Sequence, residues 1–246
     1  MMRFYWRALA IAGGLLVYFP LHYASKALRG RSPWARRFLA YAGRCCGLRV
    51  RVEGTPLGGR VLFAANHVSW LDILAIGGAA PTAFIAKNEV ERWPVIGWLA
   101  DLNDTIYVAR TARRQARHQA DLLRAALDAG RSVSFFPEGT TEGGHQVLPF
   151  RASLFGSLYP PMEGVLVQPV ALDYGELTHD MAWVGEESTG ANARRVMRDY
   201  RRIPVTVRFL DPIDPHAAGD RKALAACARD AIVAALGASA EPCDRL

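Results

Sequence analysis

The chain has 246 residues, about half of them apolar, with a formal net charge of +7 and a pI near 9.5. That is ample apolar material for one continuous core, and the basic balance favours an anionic partner: a nucleic acid, an anionic membrane surface or a phosphorylated substrate. The four cysteines (Cys45, Cys46, Cys227, Cys243) have the spacing of neither a disulfide framework nor a zinc site, which argues against a small disulfide scaffold and for a reducing compartment.

The chain opens on MMRFYWRALAIAGGLLVYFPLHYASK, an apolar run over residues 8–21 flanked by Arg3, Arg7 and Lys26 and interrupted by Gly13, Gly14 and Pro20. A signal peptide fits the length but lacks a small-residue cleavage site, and a lone buried helix is the plainest alternative. Phe4, Tyr5, Trp6, Tyr18, Phe19 and Tyr23 are the amphipathic rings expected at a lipid interface, so a membrane-seated helix is the preferred reading. Ser32-Pro33 then opens a second helix through about residue 48, completing a two-helix membrane hairpin over residues 1–48.

From residue 49 to 246 a single α/β domain is expected, because short strand-like runs alternate with helical ones and no repeat or linker intervenes. The strands are read at RVRVEG (49–54), VLFAAN (61–66), TAFIAK (82–87), TIYVAR (105–110), SVSFFP (132–137), GVLVQPVALDY (164–174) and IPVTVRFL (203–210). Helices are expected over 70–77, 95–102, 113–129 and 220–236. In such sheets ligand groups gather where strands end, and three ends carry unusual residues: NHVSWLD, YVAR and FFPEGT.

On one continuous helix His67 and Asp72 would lie about 140° apart around the axis. A strand ending near Asn66 and a helix starting near Ser69 could instead fold the imidazole back, so that Asp72 bonds Nδ1 and leaves Nε2 as a general base. The same residues also read as a capping box from Ser69 to Asp72, with Asn66 and His67 as turn residues. Phe136 to Gly139 fits a type I turn, yet a turn does not require Glu138. Arg110, at a strand end, has a fork suited to a phosphate, and Lys87 is a second candidate on the same logic. Arg113, Arg114 and Arg117 read as a solvated helix face.

A G-x-S-x-G elbow, a Walker loop, G-x-G-x-x-G and H-E-x-x-H are all absent from the sequence, and the remaining histidines have no ligand spacing. A metal or another cofactor is not expected, nor is a covalent acyl-enzyme or a serine hydrolase. No module of interleaved aromatic and basic residues supports nucleic-acid binding.

NHVSWLD, TIYVAR, FPEGT and VQPVAL, in that order, resemble the four sequence blocks of the glycerolipid acyltransferases, specifically the bacterial lysophosphatidate acyltransferase type, over residues 50–209. The resemblance implies that family's layered sheet flanked by helices, with a helical membrane anchor before it. It implies transfer of a fatty acyl group from acyl-CoA or acyl carrier protein to a lysolipid hydroxyl, most simply 1-acyl-sn-glycerol-3-phosphate giving phosphatidic acid, at the cytosolic face of the inner membrane. His67 would be the base and Asp72 its brace; Glu138, Gly139 and Thr140 would help bind the acceptor and Arg110 its phosphate; Asn66 and Ser69 would shape the turn. Two departures point to a sibling. EGT continues into Thr141 rather than a basic residue, and LPFRASLF and MAWVGEES are similar to a branch that includes lyso-ornithine lipid acyltransferases. A different class, a non-catalytic lipid-binding protein, would not need His67.

Overall fold

Strand β2 (Val61–Ala65) is apolar at all five positions and buried at each, as a central strand of a sheet covered on both faces must be. In the computed structural model, which describes residues 1–91, 96–108, 113–141, 143–144, 146–183 and 187–237, this strand lies in the middle of a seven-stranded sheet. The other strands are β1 (Leu48–Glu53), β3 (Ala83–Lys87), β4 (Ile106–Val108), β5 (Val133–Phe135), β6 (Leu166–Asp173) and β7 (Ile203–Phe209), and the spatial order is β1-β7-β6-β2-β5-β3-β4. Neighbours run parallel except β6 and β7.

The period of two along each strand sorts the core into two layers. Val61, Phe63 and Ala65 of β2 join Val170 and Leu172 of β6 on one face, whereas Leu62 and Ala64 join Val167 and Ala171 on the other. The first face is covered by helix α2 (Trp34–Cys46), α3 (Leu71–Ala79) and a helix over Thr189–Asp199; the second by helices Arg113–Asp128 and Arg221–Gly237. In chain order these become α4 (Ile96–Leu102), α5 (Arg113–Asp128), α6 (Thr189–Asp199) and α7 (Arg221–Gly237), after α1 (Met2–Arg29). The result is a three-layer α/β fold, the layered sheet with flanking helices that the sequence leads one to expect. Helix α6 and the short helical turns at Ala152–Phe155, Thr178–Met181 and Pro215–Ala218 were not anticipated.

The N-terminal region differs from expectation in two ways. Helix α1 runs unbroken from Met2 to Arg29 through both glycines and Pro20. Gly14 is a packing slot rather than a break: a methyl group there would overlap the Tyr41 ring of α2, and the Tyr41 hydroxyl donates to the Ala10 carbonyl at 2.8 Å. Among the described residues α1 alone is long and apolar enough to cross a membrane. Helix α2 is a 13-residue element whose Phe38, Ala42 and Cys46 are buried, so the hairpin resolves into one candidate span and one helix of the globular core. Burial pushes the Cys46 thiol up to about 12, which leaves that sulfur a packing group rather than a nucleophile.

Candidate active site

The parallel strands β2, β5 and β6 end at the same rim, and the loops into which they run build the site. Asn66, the first residue past β2, extends the sheet with its side chain. Its Nδ2 donates to the Leu172 carbonyl at 3.0 Å and its Oδ1 accepts from the Leu172 amide at 2.7 Å, so the carboxamide stands in for one more backbone rung against β6. The chain can then leave the sheet at a fixed point, and the next residue is His67.

Between Asn66 and α3 the backbone folds around one carboxylate. Asp72, fully buried in the first turn of α3, accepts at Oδ2 from the amides of Val68 at 2.7 Å and Ser69 at 2.9 Å, and lies 2.9 Å from His67 Nδ1. Its Oδ1 accepts from the Tyr174 hydroxyl at 2.6 Å. Four donors converging on one side chain suit an acceptor-only group, and its position at a helix N-terminus favours negative charge. Nδ1 therefore carries the proton in the neutral ring, and Nε2 is left with a lone pair. Both readings of the heptad hold at once, because Asp72 reaching back to the Ser69 amide is half of a capping box and the imidazole uses the same oxygen. Ser69 is itself fully buried, with its carbonyl accepting from the Asp72 amide at 3.0 Å.

Glu138 ties this loop to the one after β5. One carboxylate oxygen accepts from the His67 amide at 2.7 Å and the other from the Leu148 amide at 2.8 Å. Burial raises its carboxyl above the ordinary range, against the two amide hydrogen bonds and the nearby His67, which pull it down. Phe136, two residues before Glu138, stacks on the His67 ring with centroids 4.0 Å apart and planes 15° apart. The imidazole is thus fixed at its amide, at Nδ1 and over one face.

What remains open is an adjoining cavity of about 500 Å³, lined among others by Asn66, His67, Glu138, Val147, Leu172 and Val233. Its walls combine polar strand ends with apolar side chains from α7, the mixture expected where an amphipathic ligand binds. Arg229 also lines it, but its Nε and Nη2 are bonded to the carbonyls of Val147 and Leu148. Burial, with Asp72 beside it, holds the Tyr174 hydroxyl well above its usual range, so it serves as a donor.

The fold therefore brings Asn66, His67, Ser69, Asp72, Glu138 and, next in the chain, Gly139 and Thr140 to one rim. Gly139 adopts φ +74°, a conformation that favours glycine, and Thr140 is exposed. Lys87 closes β3 at the same edge, and Arg110 lies outside the described residues. No group of three or more metal-ligating side chains occurs among the described residues.

Tyr174 and Phe136 are not among the candidate site residues of the sequence, where they figure only in a strand and a turn. The signal for Tyr174 is its place as the last residue of GVLVQPVALDY, one past the end of β6. A second layer, also unforeseen, holds the loop from outside. The Trp183 amide donates to the Val68 carbonyl at 3.1 Å, Thr141 Oγ1 donates to the Trp183 carbonyl at 2.6 Å, and Trp70 Nε1 donates to Oδ1 of the fully buried Asn192 at 3.0 Å.

The chain is also similar to known proteins. Residues 48–173 match the family model described as Acyltransferase. The chain is 36% identical over 222 residues to a lyso-ornithine lipid O-acyltransferase of Brucella abortus, covering 80% of this chain and 81% of that one. It is 40% identical over 139 residues to a 1-acyl-sn-glycerol-3-phosphate acyltransferase of Neisseria gonorrhoeae, covering 56% and 54%. The crystal structure of the 1-acyl-sn-glycerophosphate acyltransferase PlsC from Thermotoga maritima has the same fold, with a TM-score of 0.72 at 22% identity over 99% of this chain and 96% of its own. With its strand-end histidine and buried aspartate, and with a family match spanning β1 to β6, the chain belongs to the acyltransferase family.

Proposed function

We propose that this acyltransferase moves a fatty acyl group from a thioester, carried on coenzyme A or acyl carrier protein, to the hydroxyl of a lysolipid, with His67 as general base. The observation that carries the reading is the His67–Asp72 contact at 2.9 Å beside the cavity, with the carboxylate held by three further donors. His67 Nε2 takes the proton of the acceptor hydroxyl as its oxygen attacks the thioester carbonyl. Asp72 stabilises the imidazolium that forms. The carbon–sulfur bond then breaks, the thiolate leaves, and the imidazolium proton passes to sulfur, so the enzyme returns unchanged without an acyl intermediate. General-base assistance of this kind is worth about 10² to 10⁴ in rate. In this scheme Glu138, whose two oxygens are engaged by amides, positions the base through its backbone rather than touching the acceptor.

A lyso-ornithine lipid is the acceptor favoured by coverage, since the relative of that name aligns with 80% of the chain and the lysophosphatidate relative with 56%. Lysophosphatidate is the second reading, supported by the higher identity, 40% against 36%, within its shorter match. Helix α1 seats the enzyme in the inner membrane with the sheet on the cytosolic side. The test is acyl transfer by the purified full-length protein to each lysolipid from acyl-CoA and from acyl carrier protein. His67→Ala is expected to lose transfer by about a hundredfold or more while keeping the wild-type unfolding temperature. Turnover by His67→Ala at the wild-type rate, or no transfer to any lysolipid by the wild type, refutes the reading.

A further inference from the structure

Asp72 receives one donor that tying down the histidine loop does not require. Its Oδ2 alone takes His67 Nδ1 and the amides of Val68 and Ser69, whereas Oδ1 takes the Tyr174 hydroxyl at 2.6 Å. That hydroxyl is delivered by the sheet. Val170, Leu172 and Tyr174 share one face of β6 and its continuation by the period of two, and all three are buried in the layer that α3 covers. Asn66 fixes the strand end by bonding both backbone groups of Leu172, so the ring two residues on meets the carboxylate in the first turn of α3.

Tyr174 is among the largest fully buried side chains, and a phenylalanine would fill its slot equally well. What the tyrosine adds is one O–H aimed at one oxygen. Burial and the neighbouring carboxylate keep that hydroxyl protonated, so it donates. A carboxylate shares its charge between two oxygens, and a short charge-assisted bond at Oδ1 draws density away from Oδ2, the oxygen that faces the imidazole. The bond also stops the carboxylate from turning about Cβ–Cγ. A buried aspartate without it would hold the imidazolium more tightly, and a base that keeps its proton is idle.

We propose that Tyr174 is a positioning residue of the base: by holding Asp72 Oδ1 it fixes the plane of the carboxylate and weakens its pull on the protonated ring, so that His67 stays neutral and ready to accept a proton. This rests on the reading of His67 as general base. The charged or titratable groups that line the cavity or bond to the pair are Asp72 from α3, Glu138 from the turn after β5, Asp173 and Tyr174 from the end of β6, and Arg229 from α7. Asp173 is bonded to Arg208, Arg229 to the carbonyls of Val147 and Leu148, and Glu138 to two amides. Tyr174→Phe alters none of these charges, so its effect isolates the hydroxyl.

The test uses the full-length protein in neutral detergent micelles as wild type, as Tyr174→Phe, and with a ring-fluorinated tyrosine at position 174, which donates more strongly. Two midpoints are read: the acid limb of kcat/KM for acyl-CoA at a saturating concentration of one lysolipid, and the carbon NMR titration of the His67 ring, identified by its loss in His67→Gln. Tyr174→Phe is expected to move both midpoints up by about half to one pH unit, which is about three- to tenfold in neutral base below the midpoint. The fluorinated ring is expected to move both down, and the alkaline plateau of the rate should stay within about threefold in each protein. A contact that served packing alone would lower the plateau and leave the midpoints in place. Midpoints that Tyr174→Phe leaves unmoved or lowers, or that the fluorinated ring leaves unmoved or raises, overturn the assignment, and the fluorinated protein decides alone if Tyr174→Phe does not fold. Absence of transfer by the wild type defeats the functional reading instead, while the ring titration still decides the role of Tyr174.

Discussion

In the proposed scheme Glu138 serves position rather than reaction. It contacts the base only through the His67 amide, so its contribution is geometric, and its own ionisation has a measurable signature. Its carboxyl is held above the ordinary value chiefly by burial. A carboxyl raised on folding contributes stability in full below the unfolded pKa, about 4.3, and loses it as pH rises through the folded value. Glu138→Gln cannot titrate, and it can accept at only one of the two amides, which costs roughly 1–3 kcal/mol at any pH. The stability of the wild type minus that of Glu138→Gln is therefore expected to shrink as pH rises from about 4 towards neutrality, read by urea unfolding in detergent. A difference that grows with pH would contradict the raised value. The residues of the heptad were legible in the sequence because histidine and aspartate are costly at a strand–helix seam and lie close together in the chain. Tyr174 was not, since its bond to Asp72 closes a gap of 102 residues that only the sheet brings together.

At the scale of elements, strands were easier to read than their partners. VLFAA is buried end to end and IPVTVRF alternates, so both patterns name a strand. Nothing in either stretch says that β1 pairs with β7, or that β6 and β7 run antiparallel, because those pairings join residues more than 30 positions apart. The two glycines of α1 misled for a related reason: glycine lowers helix propensity by about 1 kcal/mol, but at Gly14 the cost is offset by contact with Tyr41. That contact predicts an asymmetry between neighbours. Gly14→Val is expected to destabilise the protein by about 1–3 kcal/mol through overpacking, whereas Gly13→Val, with nothing within 4 Å of its Cβ position, should change stability far less. Both substitutions alter propensity alike, so thermal unfolding in detergent isolates the contact; equal losses would show that α1 and α2 do not meet there.

For the molecule as a whole, the exposed apolar side chains concentrate on α1. Trp6, Leu9, Leu16 and Val17 are each more than half exposed, an arrangement that asks for lipid rather than water. Leu9→Gln combined with Leu16→Gln is expected to shift the protein from vesicles to the supernatant in sedimentation, while its unfolding temperature in detergent stays within a few degrees of wild type. Retention on vesicles would remove α1 as the lipid-facing element. The net positive charge adds a contribution that anionic vesicles strengthen and salt weakens.

Helix α1 is also fastened to the catalytic unit. Arg3 donates to the carbonyls of Arg198 and Asp199, and Arg7 to those of Met197 and Arg201, at the C-terminal end of α6. The same helix carries Asn192, which grips the Trp70 indole next to the histidine loop. A rod clamped in this way cannot swivel freely beneath its cargo, so in the proposed membrane seat its tilt would fix the compass bearing of the mouth relative to the leaflet. On that proposal acceptors and products would enter and leave by sideways diffusion within one monolayer, and the search for a lysolipid would become two-dimensional.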